Sequence, residues 1–453
     1  MSMLQASELQ GLLYSSYSSH RYASYLLARF GDPAQGLSWV ENVARRVSFG
    51  DGRGSGGRVN VGFTSMGLQA LGVSQKALET FSPAYWDGMD SPYRSRILGD
   101  TGPNAPEHWE WGGTAEKRVH ALVAVFSRDE EQHQNEVARE TASLAGFGAA
   151  PFKTLVARPR RSKKDPAEHF GFADGVSQPV FAGDPRAASL TPEEKRLHLV
   201  PTGEFVLGWD NAYQEQTPVP RIDDGPGVPF GANGTYLVFR QLRQDVARFW
   251  QYLDREAARI GRPVEWLAAK TVGRWRDGSP LTLCPNAPNS ALSSANVFTY
   301  AAEDRLGERC PIGAHIRRSN PRDSLDSDSS EAIKDVNGHR LLRRGRSYGE
   351  RIENPRADDG IDRGLFFLCL NGNIERQFEF VQYTWINLPS FGGLCDEHDP
   401  IIGTQPDGGG FLSLPGQPIR ERAMGLPQFV TMRGGAYFFV PSRAGLDRLA
   451  RLV

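Results

Sequence analysis

With 453 residues the chain is longer than a single hydrophobic core usually fills, so two or more cores are expected. Its 52 Lys and Arg against 53 Asp and Glu leave a net charge of -1, which excludes a basic field for nucleic acid or an anionic membrane and favours a small-molecule partner. No apolar run approaches the roughly 20 residues of a membrane span. The opening MSMLQASELQGLLYSSYSSHRY lacks the basic and apolar regions of a Sec-type signal, so the expected location is cytoplasmic, with other export routes left open. Cys284, Cys310, Cys369 and Cys395 form no CxxC pair, which argues against a zinc site and fits a reducing compartment.

In chain order, β-rich runs lead into helix-like patterns: YASYLLARF, then RVNVGFTSMGLQALGV, then VHALVAVFSRDEEQHQNEVARETASLA. The same grammar returns in TYLVFRQLRQDVARFWQYLDREAARI, in LFFLCLNGNIERQFEFVQYTWIN and in a last strand, AYFFVPS. The order predicts two related α+β halves, in which YASYLLARF pairs with GTYLVFRQL and HALVAVFS with LFFLCLNG as equivalents. The Pro/Gly-rich stretch TPVPRIDDGPGVPFGANG suits a connection, which puts the domains at 1–225 and 226–453.

Two signals read as loops. GDGRGSGG, at 50–57, precedes a strand and lacks the Lys-Ser/Thr ending of a phosphate loop, and DSLDSDSSE, at 323–331, lacks the glycine that an EF-hand loop needs at its sixth position. The histidines show no HExxH or HxxxH, so a zinc or non-haem iron site has little support.

Chemistry concentrates in two segments about 140 residues apart, HFGFADGVSQP with Asp174 on a Gly-flanked turn, and CPIGAHIRRSNPR with His315 among arginines. Alone, Asp174 reads as an Asx turn or helix cap and His315 as a structural histidine. Together they suit the two faces of one haem: iron takes an imidazole on one side, and peroxide cleavage needs a proton carrier and a cation on the other. Arg343 in RRGRSYG offers that cation, because arginine stays charged at every working pH.

GFADG, AHIRRSNPR, LLRRGRSYG, GLFFLCLNGNIERQFEFVQ and FVTMRGGAYFFVPS, in this order, resemble the signature of the dye-decolourising peroxidases, in particular their longer fungal and bacterial members. The resemblance implies two ferredoxin-like α+β domains of the dimeric α+β barrel type, the N-terminal one carrying the distal loop and the C-terminal one most of a haem b pocket. It implies His315 as proximal iron ligand, Asp174 as distal acid-base group and Arg343, not the adjacent Arg344, as distal arginine. Gly175 belongs to the distal loop, Leu365 and Phe367 match the apolar distal wall, and Arg317 or Arg322 is a candidate for a haem propionate. The partner of His315 is expected in Cys395–Asp399, with Asp399 favoured.

The implied activity is reduction of hydrogen peroxide to water, with a ferryl and porphyrin-radical intermediate that oxidises dyes, phenols and similar one-electron donors. Trp385, Tyr383 and Tyr348 are candidate electron outlets, each also readable as a packed aromatic. A carboxylate base predicts an acidic optimum. The alternative is a haem-binding or haem-trafficking protein of the same fold, which would keep His315 without needing Asp174 and Arg343 together. Homo-oligomerisation is left open.

Overall fold

The computed structural model describes residues 4–50, 56–159, 167–223, 227–414, 416 and 419–452. The Gly-rich loop read at 50–57 falls largely outside these residues, as does the domain boundary at 225/226.

In the N-terminal part, β1 (Tyr22–Arg29), α1 (Pro33–Ala44), β2 (Arg58–Phe63), β3 (Ala121–Ser127), α2 (Glu130–Gly146) and β4 (Ala150–Val156) follow one another. The strands pair antiparallel in the order β4-β1-β3-β2, the ferredoxin-like arrangement. Residues 227–452 repeat this pattern with β5 (Thr235–Gln244), α3 (Val246–Ile260), α4 (Val264–Val272), α5 (His315–Ser319), α6 (Ser329–Asn337), β6 (Leu342–Arg343), β7 (Arg346–Tyr348) and β8 (Gly364–Asn371). A ribbon of β9 (Gly410–Leu414) and β10 (Glu421–Leu426) then precedes the last long strand, β11 (Val430–Val440). The order is now β11-β5-β8-β6, with β7 also on β8, and β11 meets β2 at Phe439 and Phe63, so both parts share one nine-stranded sheet. β1 and β5 hold the same place in the two repeats, as do β3 and β8.

Both faces of the sheet are buried, which is why its strands read as near-continuous apolar runs. Along β1, Tyr25 and Leu27 face one core while Leu26 and Ala28 face another. Tyr25 packs against Phe239 of β5 and Phe366 of β8, at ring centroids of 5.0 and 5.5 Å, although several strands separate them in the sheet order. The sheet therefore curls, and its inner face joins the two repeats through aromatic contacts. Helices cover the outer face. Asp129 and Asp245 cap α2 and α3, their carboxylates accepting from Gln132 and Arg248 backbone N–H groups at 2.8 and 3.0 Å.

The segment after β8 departs from expectation. Its periodicity predicts an α-helix, but Glu375–Glu379 and Val381–Ile386 wind as π-helix. Such widened turns gather at functional sites, and here Phe378, Val381, Gln382 and Ile386 form one wall of a deep cavity on the outer face. Among the described residues, no helix is long and apolar enough to cross a membrane.

Candidate active site

The cavity lies between the outer face of β5, β8 and β11, the π-helical segment, α5 and the loop that carries Asp174. That loop is held from within. The buried Glu168 carboxylate accepts backbone N–H bonds from Phe170 at 2.8 Å and Phe172 at 2.9 Å, and an amide bond from Gln244 at 2.6 Å. Burial raises the proton affinity of Glu168, and these donors oppose it. Phe170 and Phe172 insert into the core beside Phe249 of α3. Gly171 and Gly175 adopt φ of +97° and +78°, conformations that glycine takes without steric cost. The result is an Asp174 side chain anchored at the Gly175 N–H, 2.6 Å away, with 39% of its surface accessible.

Arg343 faces Asp174 across the cavity mouth, Nη1 to Oδ1, at 3.4 Å, and Nη2 donates to the Ser177 carbonyl at 3.1 Å. Strand alternation separates Arg343 from Arg344. Arg343 pairs with Cys369 of β8 and lines the cavity, whereas the buried Arg344 donates to the Leu12 and Leu13 carbonyls, both at 2.6 Å. Burial brings the Arg344 pKa down to about 9. Leu365, Phe367 and Gly175 also line the cavity.

On the opposite side His315 opens α5. Its Nδ1 lies 2.9 Å from Asp399 Oδ2, and the Asp399 Oδ1 accepts from the Ile401 and Ile402 N–H groups, both at 2.9 Å. Burial alone would depress the histidine and raise the carboxylate. Their charges and the hydrogen bond reverse both tendencies, so His315 sits above its ordinary pKa and Asp399 below. With Nδ1 engaged, Nε2 is left for the cavity that the ring lines.

Arg317 does not line this cavity, so of the two alternatives for a haem propionate only Arg322 stands beside it. Residues two apart on a helix point about 200° from each other. The Arg317 guanidinium, 2% exposed, is buried against Asp304 Oδ2 at 3.2 Å and the Cys310 carbonyl at 2.9 Å, and stacks over Tyr300. Arg322 does line the cavity, turned there by a left-handed backbone with φ of 56°.

Two further arginines, Arg274 and Arg340, face the cavity beside Arg322, and the sequence reading gave neither a role. Their partners are neutral: Arg274 donates to the Gly278 and Ala295 carbonyls, Arg322 to the Asn296 and Phe298 carbonyls, and Arg340 to the Leu197 carbonyl. None of the three makes an ion pair with a described residue. Burial lowers all three, and the nearby charges of Arg322 and Arg343 help bring Arg274 to about 10 and Arg340 to about 9, while burial with Arg340 and Arg322 brings nearby His198 to about 3. Burying a cation without a counter-ion costs several kcal/mol. This corner of the cavity therefore suits an anion.

Haem fits these residues. Its two carboxylates would meet the Arg274, Arg322 and Arg340 cluster, its iron would meet a single imidazole braced by a carboxylate, and its apolar faces would meet Leu242, Val272, Ile316, Phe378 and Val430. Of the candidate electron outlets, Tyr383 is exposed while Trp385 and Tyr348 are buried. The run at 323–331 is not wholly the surface loop expected: from Ser329 it is the start of α6, which Asp328 caps, and Asp323 is buried and accepts from the Tyr300 and Ala301 N–H groups.

No protein-family model matches the chain. It is 32% identical over 424 residues to the multifunctional dye peroxidase DyP2 of Amycolatopsis sp., covering 86% of this chain and 82% of that protein. It is 31% identical over 435 residues to the dye-decolorizing peroxidase of Mycena epipterygia, covering 86% and 76%. Among solved structures, the DyP-type peroxidase of Anabaena sp. superimposes with a TM-score of 0.82 at 27% identity, covering 98% of this chain and 94% of that one.

Proposed function

The chain belongs to the dye-decolourising peroxidase family, whose members are haem-dependent oxidoreductases that act on peroxide, and from that premise we propose how its own residues divide the work. The cofactor is haem b. When bound, it would supply the redox chemistry that reduces peroxide at the expense of one-electron donors. The observation that carries the reading is the placement of two sets of groups around one cavity: His315 braced by Asp399, and Asp174 paired with Arg343.

His315 Nε2 is the iron ligand, and Asp399 holds the proton on Nδ1, which fixes the ring and raises its basicity. Arg274, Arg322 and Arg340 receive the propionates. On the distal side Asp174 takes a proton from the inner oxygen of hydrogen peroxide and delivers it to the outer oxygen, which leaves as water. Arg343 stabilises the charge that develops as the O–O bond parts. Leu365 and Phe367 keep bulk water and bulky donors from that bond. Dyes and phenols too large for the cavity give their electrons at the surface, where Tyr383 is the accessible outlet. The residues of 1–225 contribute the distal loop and those of 226–453 the imidazole and most of the pocket.

A haem carrier of the same fold would need His315 and the arginine cluster but not the Asp174–Arg343 pair, so that pair favours the enzyme. The test is titration of the purified protein with haemin, followed by an assay of dye loss with and without peroxide. One haem per chain and peroxide-dependent bleaching are expected. Stoichiometric binding without bleaching would select the carrier.

A further inference from the structure

Phe378 forms part of the cavity wall, and behind it, edge-on at a centroid distance of 6.3 Å, lies Tyr437 of β11. The Tyr437 ring is buried. Its hydroxyl donates to Glu379 Oε1 at 2.9 Å, and the other oxygen of Glu379 accepts from Arg94 Nη1 at 2.7 Å. Arg94 in turn pairs at 3.0 Å with Asp87, whose side chain is 31% exposed. A chain of phenol, carboxylate, guanidinium and carboxylate thus runs from behind the cavity wall to the surface. The neighbouring Tyr85 shows the ordinary alternative: its hydroxyl donates to a backbone carbonyl, that of Phe63, at 2.9 Å.

Burial raises the proton affinity of Glu379, Arg94 opposes it, and Glu375 adds to it. Burial and the facing carboxylate also hold Tyr437 far above the ordinary phenol range, so it does not ionise by itself. A phenol that loses an electron becomes a strong acid, however, and here a carboxylate stands ready at hydrogen-bond distance.

We propose that Tyr437 is a redox-active side chain, which gives one electron to the oxidised centre in the cavity while its phenolic proton crosses to Glu379, leaving a neutral tyrosyl radical beside a protonated carboxyl. The proposal rests on the peroxidase reading, since peroxide supplies the oxidising equivalent. The O–H bond of Tyr437 breaks, an O–H bond forms on Glu379, and the oxidised centre is lowered by one electron. When an external donor returns an electron, the proton goes back. Tyr437 therefore stores one of the two oxidising equivalents when donor is scarce, in a place that no dye can touch.

The test is electron paramagnetic resonance of the haem-loaded protein frozen after one equivalent of peroxide without donor, on wild type, Tyr437→Phe, Glu379→Gln and the control Tyr85→Phe. Wild type is expected to show a radical signal that narrows when the protein carries ring-deuterated tyrosine. Tyr437→Phe and Glu379→Gln should lose most of it, while Tyr85→Phe keeps it and all variants bind haem and consume peroxide. An unchanged signal in Tyr437→Phe, or peroxide consumption by wild type without a tyrosyl signal, overturns the proposal. Should Tyr437→Phe fail to fold, Glu379→Gln decides, because it keeps an acceptor oxygen but takes no proton: a full signal there overturns the proposal. Failure of wild type to consume peroxide would instead refute the underlying peroxidase reading, and this proposal with it.

Discussion

On the His315 side of the cavity the bracing carboxylate is fully buried and accepts from a ring nitrogen and two backbone N–H groups, each at 2.9 Å. On the Asp174 side the two charged groups meet at 3.4 Å, and about a third of each stays accessible, 34% for Arg343 and 39% for Asp174. The difference follows from the tasks proposed for the two sides. A ligand that must hold one orientation benefits from a carboxylate locked in place. A proton carrier must admit peroxide and reach two oxygens in turn, so slack in the resting geometry serves it.

The sharpest way to break this comparison is to remove the fixed side. His315→Ala should reduce peroxide-dependent dye oxidation to background while the arginine cluster still holds haem, measured by the Soret spectrum and by turnover; full activity would remove the fixed side from the account. Asp399→Asn keeps the size of the brace but not its charge, and should cost about 10–100-fold in turnover or haem affinity, with a shifted resting spectrum as the sign of an altered ligand.

Next come the arginines, where the structure separates two roles. Arg340→Leu removes one charge-assisted contact of about 1.5–3 kcal/mol and should speed haem loss by about 10–100-fold, followed by transfer of haem to an apo-globin acceptor. Arg317→Leu breaks the buried pair with Asp304 and should lower the unfolding free energy by about 3–5 kcal/mol without a comparable change in haem loss. Equal effects on haem loss would erase the distinction.

A separate effect concerns acid. His169 and His198 flank the loop and the arginine cluster, and burial brings their pKa values down to about 4 and about 3. A histidine depressed in the folded state binds fewer protons there than when unfolded, so its contribution is fully present above about pH 6.5 and is lost as pH falls toward the folded value. Each pH unit within that window costs about 1.4 kcal/mol per histidine. Thermal midpoints should fall from pH 6.5 to pH 4, and more gently in His198→Gln; parallel curves would contradict the assignment.

That Asp174, Arg343 and His315 gather at one cavity was readable in the chain because all three sit in short motifs on loops and at the ends of elements. The choice of Arg343 over Arg344 came from the family resemblance, through the register of RRGRSYG, because the two-residue period of a strand separates two neighbours without saying which one faces the cavity. The sequence left Arg317 and Arg322 as alternatives because a list of nearby arginines ignores where each points around a single helical turn. Arg274, Arg340 and Glu168 escaped because each comes from a different loop or turn, and only the fold brings them to one cavity. Likewise, the periodicity after β8 matched an α-helix, and nothing in it marked the wider π turns.

The most direct test of the central claim is a stopped-flow absorbance record of the haem-loaded protein mixed with hydrogen peroxide, comparing wild type with Asp174→Asn and Arg343→Leu. An unchanged resting Soret band is expected in all three, with a rapid peroxide-induced change in wild type and a slowing of about 100-fold or more in each variant. A variant that reacts as fast as wild type would show that the Asp174–Arg343 side does not carry the peroxide chemistry.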